Sequence, residues 1–89
     1  MEKNLFYVEV TDVYGGEANY SWVTRHIISA STMRGAVNKF SRNSGIKWHC
    51  TMNCSELLRY DSKSGATCFF IEYYDEDRHS DYRFNTDER

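Results

Sequence analysis

The chain has 89 residues, of which 40% are hydrophobic and 16% aromatic, and its 13 acids and 11 lysines and arginines leave a net charge of −2. That length supports one domain with a single two-layer core, and the apolar content excludes a disordered chain. The charge excludes the strong basic field of a protein built mainly to neutralise phosphates, and no run of about 18 apolar residues exists to span a bilayer.

In chain order, residues 5–13 alternate, with Phe6, Val8 and Val10 on one face and Tyr7, Glu9 and Thr11 on the other. This is the period of two of a half-buried strand. Tyr14-Gly15-Gly16-Glu17-Ala18-Asn19-Tyr20-Ser21-Trp22 then reads as a glycine turn closing a β-hairpin, because glycine accepts positive φ without steric penalty. Alternation resumes over 20–30, a long strand expected to bend or bulge.

Ser31 or Thr32 can cap a following helix, in which Met33, Ala36, Val37 and Phe40 recur at i, i+3, i+4 and i+7. The helix is predicted to end near Arg42, where Asn43-Ser44-Gly45 supplies a left-handed cap. Gly35 is unfavourable inside it by about 1 kcal/mol unless close packing needs the missing side chain. Its outer face carries a basic stripe of Arg34, Asn38, Lys39 and Arg42.

Residues 46–52 form a third extended stretch. Residues 57–61 either continue it past a bulge or form a separate strand; the pattern leaves both open. After the turn Ser62-Lys63-Ser64-Gly65, residues 66–74 are the most apolar strand and are expected at the centre of the sheet, under the helix. The predicted fold is α+β: an antiparallel sheet of four or five strands in the order β-β-α-β-β, with one helix packed on one face.

Residues 75–89 hold six acids against three bases, a net charge of −3. With Tyr82 and Phe84 as apolar residues, this segment is expected to fall short of its ordering entropy, about 1–2 kcal/mol per residue. The division is therefore a single α+β domain over 1–74 and an acidic, flexible C-terminal tail over 75–89.

Few residues suggest reaction chemistry. Cys50, Cys54 and Cys68 are an odd number, so reduced thiols are the simpler reading. With His49 they are weak candidates for a zinc site, set against the fact that His49 and Cys50, as strand neighbours, point to opposite faces. A cysteine nucleophile would need His49 or His26 as its base, and nothing in the spacing suggests that pairing. Glu9, Asp12 and Glu17 are a carboxylate set for a metal-dependent nuclease, on a hairpin where surface acids ordinarily serve solubility. No nucleophile, base and oxyanion donors converge, and the expectation is a protein that is not an enzyme and needs no cofactor.

Tyr14 to Trp22, followed by Arg34-Gly35-Ala36-Val37, Arg59-Tyr60-Asp61 and Gly65-Ala66, resembles a family of small bacteriophage and prophage proteins over roughly residues 5–74. The resemblance carries no family-wide activity. It implies the cytoplasm of an infected bacterium and a gene class rich in binders of host machinery. Combined with a sheet whose second aromatic face must be covered by a dimer or a partner, it points to a protein-binding module, an inhibitor or modulator of a host factor such as a defence complex. The expected contacts are Arg34, Asn38, Lys39, Arg42, Tyr20, Trp22 and Trp48, with the acidic tail as an electrostatic arm. The alternative is a nucleic-acid-binding protein stacking bases on Tyr7, Tyr20, Trp22, Trp48, Tyr60 and Tyr73, with Arg25, Arg59 and the helix bases on phosphates.

Overall fold

In a computed structural model the structure describes residues 3–12 and 23–89. The predicted turn at 13–22, with Tyr20 and Trp22, lies outside the described residues. Strands β1 (Asn4–Asp12) and β2 (Val23–Ala30) are followed by helix α1 (Met33–Ser44). Then come β3 (Trp48–Cys54), β4 (Leu57–Ser62), β5 (Thr67–Tyr73), the short helix α2 (Glu76–His79) and β6 (Thr86–Asp87). One sheet in the order β3-β4-β5-β1-β2-β6 contains all six strands, and each pairing is antiparallel except β2 with β6.

The α+β class and the mostly antiparallel sheet agree with the sequence. The count differs, with six strands and two helices among the described residues instead of four or five strands and one helix. Residues 57–61 belong to a separate strand that folds back on β3, and the bulge falls within β3, where the register shifts between Cys50 and Met52. The apolar β5 takes its expected central position between β4 and β1.

Cross-strand register lines up the α1 side of the sheet. Phe6, Val8 and Val10 point toward α1 beside Ile28, Phe69 and Ile71, and Ala36 and Val37 of α1 close the cluster. The cap is as the residue types require: the Gly35 amide donates to the Thr32 hydroxyl at 3.0 Å, and Gly45 ends the helix at φ 70°. A β-carbon at Gly35 would stand 3.2 Å from that hydroxyl, so the missing side chain makes room for the cap.

The opposite face carries Tyr7 and Ile27, both buried. What buries Tyr7 is the C-terminal segment, with the rings of His79, Tyr82 and Phe84 at 4.2, 5.6 and 6.1 Å from that of Tyr7. The structure therefore differs from the expected solvated tail. Composition counted two apolar residues there and missed His79, a buried ring whose Nδ1 accepts the Asp75 amide while Nε2 lies 3.2 Å from Glu72 Oε2. Arg78 adds an ion pair to the other oxygen of Glu72. The segment ends by pairing Thr86 and Asp87 with His26 and Ile27 of β2.

Candidate functional site

A groove of about 890 Å³ runs between one flank of α1 and the ribbon of β3 and β4. Arg34, Asn38 and Ser41, spaced by about one helical turn, line the α1 wall. The ribbon wall carries Cys50, Asn53, Leu58 and Tyr60, and Met33, Val37, Ile46 and Trp48 add apolar surface. Lys47 and Lys63 close one end, brought together by the hydrogen bond from the Lys63 amide to the Lys47 carbonyl at 2.9 Å.

Among the described residues three cations line this groove and no carboxylate does. Among the described residues Arg34, Lys47 and Lys63 form no ion pair, whereas Arg25, Lys39, Arg59, Arg78 and Arg89 each lie within 4.0 Å of an acid. Unmatched like charges along one trough create a positive potential that favours an anionic ligand.

The aromatic groups at the groove are held from behind. Trp48 donates its indole N–H to the Ser44 hydroxyl at 3.0 Å, and Ser44 in turn donates to the Ser41 carbonyl, so the end of α1 fixes the ring. Trp48 and Tyr60 both pack on Phe69, one edge-on at 4.8 Å and the other stacked at 5.1 Å. Burial, then the nearby Cys50, raises the Tyr60 phenol above its ordinary pKa, with Arg34 acting against them. Tyr60 thus stays a neutral hydrogen-bonding group at physiological pH.

The sequence-predicted residues divide. Arg34, Asn38 and Trp48 meet at the groove. Lys39 points to the opposite flank and donates to Glu88 Oε1 at 2.7 Å, while Arg42 is exposed in the last helical turn, beyond the groove lining. Tyr20 and Trp22 lie outside the described residues. Lys47, Lys63 and Tyr60 complete the groove. The two lysines were not singled out by pattern, because only the β3–β4 pairing makes residues sixteen positions apart into neighbours.

The zinc candidates are not brought together. His49, Asp61 and Cys68 share a cross-strand row on the face away from α1, where Asp61 is held by Arg59 and Thr51. Cys50 pairs with Tyr60 on the α1 face, and Cys54 sits opposite Leu57, four residues or about 13 Å along the strand from Asp61. Among the described residues no group of three histidine, cysteine or acidic side chains is placed to hold a metal. Glu9 and Asp12 occupy opposite faces of β1, so they do not form the carboxylate pair a nuclease needs; Glu17 lies outside the described residues.

Fold and groove together define a small α+β sheet protein with a cationic trough beside its main helix. No described helix is long and apolar enough to cross a membrane. Comparison of the chain with protein families, with curated proteins and with solved structures finds no match.

Proposed function

We propose that the chain is a non-enzymatic protein-binding module of the bacteriophage kind, which inhibits or modulates a host bacterial factor such as a defence complex. It engages that partner through the groove between α1 and the β3–β4 ribbon. The observation that carries this reading is the grouping of Arg34, Lys47 and Lys63, with no carboxylate among the described residues lining the groove, around apolar surface from Met33, Ile46 and Trp48. A partner segment that fits has acidic residues for the cations and an apolar anchor for the floor.

Protein is favoured over nucleic acid by what the rings do. Tyr7 is buried against His79, and Trp48 and Tyr60, both partly buried, each pack on Phe69. Tyr73 is exposed but borders a surface that includes Glu56, Glu72, Asp75 and Glu76, which repels phosphates.

The test is retention of a host complex from bacterial lysate by immobilised native chain, by the double variant Arg34→Glu, Lys63→Glu and by the control Lys3→Glu. The reading predicts one defined complex, kept by the control, lost by the double variant and insensitive to nuclease. Equal retention by all three removes the groove. Nuclease-sensitive retention with steep salt dependence assigns the function to nucleic-acid binding.

A further inference from the structure

The outer edge of β2 is occupied in a specific way. The Asn85 amide donates to the Arg25 carbonyl at 2.7 Å and the Glu88 amide to the Ile27 carbonyl at 3.1 Å, as in a parallel strand. At the two ends of this pairing, side chains take over from the backbone. Asn85 Oδ1 accepts the Arg25 amide at 3.1 Å, and Glu88 Oε1 accepts the Ser29 amide at 2.9 Å, the Ser29 hydroxyl at 3.3 Å and Lys39 Nζ at 2.7 Å. Two side-chain oxygens thus stand where a longer strand would present its carbonyls, and Lys39 beside the edge already holds the carboxylate of Glu88.

We infer that the outer edge of β2, together with Lys39, is a docking site for an extended acidic peptide segment, and that residues 85–88 are its intramolecular occupant. β6 pairs over two residues of an eight-residue strand, so a longer acidic strand gains backbone bonds that the resident lacks. His79, Tyr82 and Phe84, the rings that cover Tyr7, all precede residue 85, so release of the terminal residues gives up the Arg89 contacts with Tyr74 and Phe84 but removes none of those rings. An occupant tethered in this way competes at an effective concentration of about 1 mM or more, which makes it a gate on entry. This site is separate from the groove and does not depend on it.

The experiment titrates the peptide of sequence 84–89 into isotope-labelled chain ending at Phe84 and into the full chain, following backbone amide resonances. In the truncated chain the amides of Arg25, Ile27 and Ser29 are expected to shift and saturate, and Lys39→Ala to weaken binding several-fold. The full chain is expected to bind at least about tenfold more weakly, because its own segment competes. No shift on β2 up to about 5 mM peptide, equal binding by the full chain, or shifts confined to Arg34, Lys47 and Lys63 would overturn the assignment. If the truncated chain does not fold, Glu88→Gln in the full chain serves instead. It should speed amide exchange at Ser29 and strengthen peptide binding; no change in either would equally overturn it.

Discussion

The ring of Tyr7 in β1 lies against that of His79 in α2, with centroids 4.2 Å apart and planes at 14°. The Tyr7 hydroxyl donates to Glu9 at 2.7 Å and accepts from Arg25 at 3.0 Å, and the Arg25 guanidinium sits 4.3 Å above the Tyr82 ring. Burial, reinforced by Glu9, holds the Tyr7 phenol far above its ordinary pKa. The face of the sheet opposite α1 is therefore closed around Tyr7 by the chain's own C-terminal segment.

His79→Ala removes a buried ring and the acceptor for the Asp75 amide, and is expected to lower unfolding free energy by about 2 kcal/mol, read by urea denaturation. Deleting residues 75–89 should lower it by more. Unchanged stability in both would return the segment to the solvated state that its charge suggests.

Thr32 is the cap on which the start of α1 depends. Thr32→Ala should cost about 1 kcal/mol, with Thr32→Ser close to native because it keeps the hydroxyl that accepts the Gly35 amide. Equal losses for the two variants would show that the hydroxyl is not what matters.

His26 is half-buried 5.7 Å from Phe40, and burial lowers its pKa from the ordinary 6.5. The unfolded chain then binds the proton more readily than the folded one, so this residue's contribution is complete above about pH 6.5 and is lost as pH falls toward the folded value. Glu88 is depressed first of all by its hydrogen bond from Lys39, so its contribution holds above the ordinary glutamate pKa and is lost on further acidification. Stability measured from pH 8 to pH 3 should fall in both windows. His26→Gln should remove the slope near pH 6, and Glu88→Gln should reduce the one in the acid range without abolishing it, because Asp61 and Asp87 are depressed as well.

Cys50 and Cys54 are exposed while Cys68 is buried, and burial raises the Cys68 thiol above its ordinary pKa. A thiol reagent at neutral pH should modify Cys50 and Cys54 quickly and Cys68 only on unfolding, as counted by mass spectrometry. Three equally fast thiols would contradict this packing.

What was legible in the sequence came from local rules. The alternation of Phe6, Val8 and Val10, a cap at Ser31 or Thr32, the Asn43-Ser44-Gly45 stop and the apolar run over 66–74 each state their geometry within a few residues. Phe6 and Ile71 were readable as core for the same reason. The groove was half legible, since Arg34 and Asn38 lie on one helix while Lys47 and Lys63 meet only through the fold. The covering of Tyr7 was not legible. Its partner His79 sits between Arg78 and Ser80 in a segment dominated by charge, and a histidine in that setting carries no hydrophobic period.

On the function proposed above, an acidic segment of a protein partner enters the groove. This is tested most directly by placing a photo-crosslinking amino acid at Asn38, irradiating the chain with the complex captured from lysate, and sequencing the joined peptide. The expected result is one site on one partner, an acidic stretch carrying an apolar anchor, with no crosslink from the same group placed at Asp77 beyond the groove. Crosslinks to nucleic acid, or to a partner from Asp77 and not from Asn38, would contradict it.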